Sequence, residues 1–255
     1  MRVHIISLFP EYFAGPFSCG PTRVVREKRT LELSVVNPRD FTDDPHRTVD
    51  DYPFGGGAGM VLKPEPLFRA IESVRDGTSH TIMLSPRGRR FDQQAARDLS
   101  AMPHVILVCG RYKGVDERVR EALADDELSV GDFVLAGGEA AAVMVVEAVA
   151  RLLPGAVEHE ESVDTDSFSP ALLDAPWYTR PRSFRGMDAP EVLVSGDHDA
   201  VARWRRRQSL SITARRRPEL LRGEVLTEDE RRFLMHELRL DETVKEISHG
   251  QEEED

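Results

Sequence analysis

Cysteine is nearly absent from this chain. Only Cys19 and Cys109 occur among 255 residues, far apart and without metal-ligand spacing. That excludes a disulfide scaffold and a zinc knuckle, and it fits a reducing compartment such as the cytoplasm. Long hydrophobic runs are missing too. No stretch approaches the roughly 18 apolar residues of a membrane span, so no membrane partner is expected. The N-terminal residues enter strand-like sequence at once, without the apolar region and small-residue cleavage site of a secretory signal. The eight histidines form no His-x-x-x-His pair, and no metal ligand set is assigned.

What is present is charge, unevenly placed. The net charge of -11 taken alone argues against a nucleic-acid partner. Between Arg203 and Arg222, however, eight arginines face a single acid, Glu219, whereas the segment from Glu224 to Asp255 holds twelve acids and four bases. The acidic end hides a basic surface, and the local field decides whether a phosphate backbone is attracted. A solvated helix face is the plainer reading of the arginines. Their mutual repulsion without a polyanion, and Trp204 among them, favour an RNA-binding surface.

Up to about residue 154, short apolar segments alternate with amphipathic ones. Strands are expected at 3–8, 31–36, 81–84, 105–109 and 128–130, and helices at 11–17, 66–75, 93–101, 117–124 and 139–153. This alternation predicts an α/β domain with a mostly parallel sheet. The last helix is apolar nearly all round, which suits a core or a subunit interface. Pro154-Gly155 ends it. Domain 1–157 is then followed by an acidic, serine-rich linker at 158–175, expected to be mobile. The remainder, 176–255, opens with a Pro/Arg/aromatic loop and continues as a small all-α domain with helices at 200–211, 218–223 and 227–238. Thr227 and Glu230 form a capping box for the last of these. Residues 251–255 are expected to fray.

Three of the strands run into loops of unusual composition: Leu84-Ser85-Pro86-Arg87-Gly88, Gly110-Arg111-Tyr112-Lys113-Gly114, and Val130-Gly131-Asp132-Phe133-Val134-Leu135-Ala136-Gly137-Gly138. The carboxyl ends of parallel strands share one edge, where ligands bind. Glycines there let backbone groups approach a ligand closely. Tight turns would explain any one loop; three together point to a pocket for a flat polar molecule such as an adenine nucleoside. A fourth cluster, Gly55-Gly56-Gly57-Ala58-Gly59-Met60, is followed by no Lys-Ser/Thr pair and does not fit the Gly-x-Gly-x-x-Gly register. It is read as a flexible loop whose bare backbone touches a substrate or a partner subunit. The absent dinucleotide fingerprint also sets aside a Rossmann dehydrogenase.

At these loops the sequence resembles the bacterial TrmD family, tRNA (guanine-N1)-methyltransferases of the SPOUT superfamily. Besides the three loops and the Gly55 cluster, the resemblance is carried by Ile5-Ile6-Ser7-Leu8-Phe9-Pro10-Glu11, Pro38-Arg39-Asp40-Phe41, His46-Arg47-Thr48-Val49-Asp50-Asp51, Asp166-Ser167-Phe168, Tyr178-Thr179-Arg180-Pro181, Trp204-Arg205, Gln208-Ser209-Leu210 and Arg216-Arg217-Pro218-Glu219. It implies a SPOUT-type parallel sheet with a deep trefoil knot and a homodimer whose active sites use both subunits. It also implies S-adenosylmethionine held by the knot loops and a dependence on magnesium. The implied substrate is tRNA, methylated at the guanosine immediately 3′ of the anticodon.

Methylating guanine N1 requires removal of its proton by a base, and a cation for the charge that develops chiefly at O6. The resemblance assigns these roles to Asp166 and Arg151. Read by themselves, an acid on a polar linker is a solvated acid, and an arginine ending a helix favours its dipole. The cofactor positions implied are Leu84, Ser85, Pro86, Gly110, Arg111, Tyr112, Gly114, Val130, Gly131, Asp132, Phe133, Leu135, Gly137 and Gly138. The substrate positions are Asp50, Gly55, Gly56, Gly57, Asp174, Arg180, Arg205, Arg206, Arg207 and Ser209. Lys113 departs from the family, which has Glu there, near the methionine end of the cofactor. Either Lys113 turns to solvent or Glu117 or Asp116 replaces the missing acid. Two other readings stand beside this one: a related RNA methyltransferase with a different target base, and an RNA-binding regulator that transfers nothing.

Overall fold

A computed structural model describes residues 1–158, 165–169 and 171–238. The chain divides into two compact units, Met1–Glu160 and Glu161–Asp255. Residues 159–164 and 170 of the expected linker, and the fraying expected at 251–255, lie outside the described residues.

The first unit is built on a five-stranded sheet of β1 (Arg2–Ile6), β2 (Glu32–Val36), β5 (Ser79–Arg90), β6 (His104–Cys109) and β7 (Asp126–Ser129), in the order β2-β1-β6-β5-β7. Every pairing in it is parallel. A strand buried on both faces has no polar alternate positions, and central β6, His-Val-Ile-Leu-Val-Cys, is buried throughout. Period-two alternation sorts its side chains. Val105, Leu107 and Cys109 join Ile82, Leu84, Val3 and Ile5 on one face; Ile106 and Val108 join Ile6 and Met83 on the other. The first face is covered by α1 (Gly20–Glu27), α3 (Gln93–Ser100) and α5 (Glu139–Leu152) through Val25, Leu99, Val145 and Val149. The second is covered by α2 (Pro64–Glu72) and α4 (Glu117–Leu123) through Leu67, Ile71 and Val119.

Several elements differ from the sequence expectation. Residues 11–17 form two 3-10 turns, Pro10–Phe13 and Pro16–Ser18, because each proline sits at a helix start and interrupts a continuous ladder. Helix α1 follows unannounced; its sequence Gly-Pro-Thr-Arg-Val-Val-Arg-Glu is short and mostly polar. Strand β5 reaches Arg90 rather than ending at Leu84. Its register against β7 shifts between Leu84 and Arg89, so the Ser85–Gly88 stretch bulges from the sheet before the strand rejoins it. Pro86 has no N–H for a ladder and belongs in such a bulge. Helix α5 is not buried all round: Met144 and Glu147 are exposed while Ala142, Val145, Val146 and Val149 are covered.

Among the described residues, the regular structure of the second unit is helical apart from one hairpin. Helix α6 (His198–Arg216) begins with Asp197, whose carboxylate accepts from the Ala200 N–H at 2.9 Å, and α7 (Glu228–Leu238) follows a 3-10 stretch, Pro218–Gly223. The capping box is present: Glu230 N–H donates to Thr227 Oγ1 at 3.3 Å and Thr227 N–H to Glu230 Oε2 at 2.8 Å. Leu172, Leu210, Ala214, Leu221, Leu226 and Leu234 make its core. The expected loop at 176–186 contains the start of a small antiparallel hairpin, β8 (Ser183–Phe184) with β9 (Met187–Asp188), so this unit is not purely helical.

Candidate functional site

The three strand-end loops meet around one cavity of about 520 Å³ at the carboxyl edge of the sheet, within the usual size of a small-molecule site. Every cofactor position expected from the sequence lines it except Asp132, which lies exposed in the loop after β7. The loops are fastened to one another. Gly138 N–H donates to the Gly110 carbonyl at 2.9 Å, and Arg111 bridges to Gly137 in antiparallel fashion. Gly138 has no alternative at that crossing: a Cβ there would lie 2.7 Å from the Cys109 Cα. Cys109 itself is inert, its thiol pushed well up by burial and then by Glu139.

Behind the loops sits a buried polar cluster that sequence reasoning missed. Glu139, the first residue of α5, is 1% exposed. Its carboxylate accepts from the Ser7 hydroxyl at 2.9 Å and from Arg111 Nε at 3.2 Å, and the Arg111 guanidinium covers the Phe9 ring at 4.4 Å. A buried carboxylate survives only when paired, and the helix N-terminus adds to its stabilisation. The cluster therefore fixes Arg111, and with it the second loop, to β1 and α5. Its sequence signal was thin: one serine at a strand end and one acid at a helix start.

The Gly55 cluster belongs to this neighbourhood. It connects two short strands, β3 (Asp50–Asp51) and β4 (Val61–Leu62). The Leu62 N–H donates to Gly114 O at 3.0 Å and the Lys113 N–H to Met60 O at 2.9 Å, so the hairpin edges the second loop. Asp50 approaches Tyr112: the phenol is pushed up first by burial and then by the Asp50 carboxylate, to which it also hydrogen-bonds. Gly55, Gly56 and Gly57 stay exposed at the hairpin tip beside Phe54, which is 100% exposed.

Lys113 lines the cavity. The two acids offered as substitutes for the missing glutamate are both engaged. Glu117 pairs with Arg87 at 3.1 Å and Arg120 at 2.6 Å, and Asp116 caps α4 and pairs with Arg118 at 2.8 Å. Glu117 is held below its ordinary value by Arg120 first and Arg87 second.

Arg151 is half-buried in the last turn of α5, in the first unit. Asp166 belongs to the second unit, in a turn where its carbonyl accepts from Ser169 N–H at 3.1 Å. Close by, Asp174 N–H donates to Ser167 Oγ at 2.9 Å, and the Asp174 carboxylate accepts from Trp177 Nε1 at 2.6 Å. The Arg205 guanidinium lies over the Trp177 ring at 4.2 Å, and Trp204 meets Tyr178 edge-on at 6.3 Å. Trp177, 62% exposed, was not singled out in the sequence; only the fold sets it between Asp174 and Arg205.

The remaining substrate candidates separate. Ser209 turns inward, its hydroxyl donating to the Leu173 carbonyl, while Thr213 Oγ1 accepts from Leu173 N–H at 2.9 Å. Arg206 is also committed internally, to Glu224 at 2.8 Å and Glu230 at 2.7 Å. Arg207 lies 5.5 Å from the Phe233 ring centroid, and Arg180 is exposed. Among the described residues no group of three or more His, Cys, Asp or Glu could hold a metal ion, and no helix is long and apolar enough to cross a membrane.

Comparison with known proteins gives consistent matches. The model of the family described as tRNA (Guanine-1)-methyltransferase TrmD matches residues 1–223. Curated proteins named tRNA (guanine-N(1)-)-methyltransferase are similar over nearly their whole length. The one from Carboxydothermus hydrogenoformans is 49% identical, covering 92% of this chain and 92% of its own. That from Dehalococcoides mccartyi is 49% identical over 96% of this chain and 100% of its own. That from Pelotomaculum thermopropionicum is 50% identical over 92% and 95%.

Proposed function

Because the chain belongs to the tRNA (guanine-1)-methyltransferase family TrmD, we propose that it methylates N1 of a guanine in tRNA, at the guanosine immediately 3′ of the anticodon. The observation that carries this is the convergence of three glycine-containing strand-end loops on one cavity at the sheet edge where nucleotide ligands bind. Its size and its bare backbone suit S-adenosylmethionine. When bound, that cofactor supplies an electrophilic methyl group on a sulfonium.

The chain's own residues do the rest. Guanine N1 is protonated at neutral pH and cannot attack until that proton leaves. Asp166 takes the proton as general base. Arg151 stabilises the negative charge that builds at O6. Asp174, with both carboxylate oxygens engaged by Trp177 and the Ala175 N–H, orders the segment that follows Asp166. The arginines of α6 that face solvent hold the RNA backbone, and Trp177 under Arg205 offers a flat surface to an unpaired base.

The loops are expected to thread a trefoil knot, and the protein to act as a homodimer whose active sites draw on both subunits. Exposed Phe54, Tyr52, Phe133, Val134 and Met144 supply apolar surface for such an interface. Acting on tRNA, it is expected to work in the cytoplasm. Among the described residues no group of three or more His, Cys, Asp or Glu stands ready for a magnesium ion.

The test is transfer of labelled methyl from S-adenosylmethionine to a tRNA with guanosines at the last anticodon position and the next one, beside a control lacking the second. Label at N1 of the second guanosine alone is expected. Label on another base would favour a different RNA methyltransferase, and cofactor binding without transfer would leave an RNA-binding regulator.

A further inference from the structure

The cations lining the cavity are Arg87, Arg111, Lys113 and Arg120. Three of them are spoken for. Arg111 pairs with Glu139, Arg120 with Glu117, and Arg87 with both Glu117 and Glu127. Among the described residues no carboxylate pairs with Lys113. An anionic group entering the cavity therefore finds one uncommitted cation.

Lys113 is exposed, but its backbone and stem are supported. Its N–H is tied to Met60 O at 2.9 Å, and its aliphatic stem lies across Gly59. A Cβ on Gly59 would come within 2.9 Å of Lys113 Cγ and 3.3 Å of Cε. Gly59, at φ +103, thus leaves the groove in which the lysine stem rests. This gives a structural purpose to one glycine of the cluster that fitted no nucleotide-loop pattern.

We infer that Lys113 binds the α-carboxylate of the amino-acid end of S-adenosylmethionine, and that Gly59 positions it to do so. The inference rests on the cofactor reading above and assigns the Lys113 corner of the cavity to the carboxylate-bearing end of the ligand. A lysine beside a sulfonium would by itself repel the cofactor; a carboxylate between them offsets that repulsion. The lysine brings a compact, hydrated charge on a flexible stem, so the stem's support matters to its aim.

The experiment is calorimetric binding, without tRNA, of S-adenosylmethionine and of decarboxylated S-adenosylmethionine, which keeps the sulfonium and the amine but has no carboxylate. The unmodified protein is compared with Lys113→Gln and Lys113→Arg. The unmodified protein should prefer the carboxylate-bearing ligand by roughly fivefold or more, the range of a single charge-assisted contact near a surface. Lys113→Gln should bring the two affinities together while leaving the decarboxylated ligand bound as well as before. Lys113→Arg should keep most of the preference. Equal weakening of both ligands, or an unchanged preference, would overturn the inference. So would unchanged cofactor binding combined with a shallower salt dependence of tRNA binding, which would assign Lys113 to a phosphate. Failure of the unmodified protein to bind either ligand would instead sink the cofactor reading, a result distinct from binding with unaltered discrimination.

Discussion

The arginines of the two units are used in opposite ways. Around the cavity of the first unit each arginine meets a carboxylate, and one such pair, Arg111–Glu139, is buried at its acid end. On α6 of the second unit, Arg203, Arg205, Arg207, Arg215 and Arg216 have no carboxylate partner among the described residues; Arg206 alone of that helix turns to Glu224 and Glu230. A committed arginine holds a loop in one geometry, as a pocket for a small ligand requires. An uncommitted one keeps its charge for a polyanion, where counterion release rewards it. Sequence alone gives both the same letter, so charge counts cannot separate scaffold from contact surface.

The largest effect expected is on the chemistry. Asp166→Ala should lower methyl transfer by about 10²–10⁴-fold, the range of a lost general base, while cofactor affinity stays near normal; single-turnover transfer and calorimetry measure the two. Unchanged turnover would remove Asp166 from the mechanism. Next in size is the pocket scaffold. Gly138→Val places atoms where Cys109 backbone already is, and should cut S-adenosylmethionine affinity by more than about tenfold, with overpacking of roughly 1–3 kcal/mol lowering Tm. Normal binding would show that the loops are less tightly set than their contacts imply.

The contrast among arginines comes third. Replacing Arg205 and Arg207 by Gln should weaken tRNA binding and reduce the slope of log K against log salt by about 1–2. Arg206→Gln should leave that slope alone and lower Tm, because it removes the cation that Glu224 and Glu230 share. If Arg206→Gln changes the slope like the others, the distinction between committed and uncommitted arginines fails.

The smallest effect concerns the opposite edge of the sheet. His4 Nδ1 lies 2.8 Å from His104 Nε2, and His104 lies 3.3 Å from Asp76, which also meets Arg2. His4 is lowered from its ordinary 6.5, first by burial, then by His104 and Arg2, against the pull of Asp76 and Glu32. The unfolded chain thus binds more protons than the folded one near that pH. His4 exacts no penalty well above 6.5 and destabilises progressively as pH falls through it. His4→Gln should make the fall in Tm between about pH 7.5 and 5.5 slightly shallower; a parallel curve would show that other groups govern it.

Much of the first unit was legible because parallel strands buried on both faces read as short apolar runs, as β6 does. Helix α1 was not legible, since a mostly polar eight-residue segment carries too little periodicity. The bulge in β5 escaped notice because a strand that leaves a sheet at Leu84 and returns at Arg89 looks, in one dimension, like a strand followed by a loop. For the site, glycine loops after apolar strands identified much of the cavity lining, but not Glu117, Arg120, Glu127 or Ser129. Glu139, Ser7 and Trp177 did not stand out, because nothing local distinguishes a buried acid or a stacked indole from an exposed one.

By itself the sequence determined the α/β class, the three strand-end loops and the basic helix, since periodicity, glycine and charge act through near neighbours in the chain. Only the tertiary structure decided which cations are committed, that the Gly59 backbone leaves room for the Lys113 stem, and that Asp174 and Arg205 meet at Trp177. Most of those pairings join residues far apart in sequence, and burial and distance, which set the strength of each, exist only once the chain has folded.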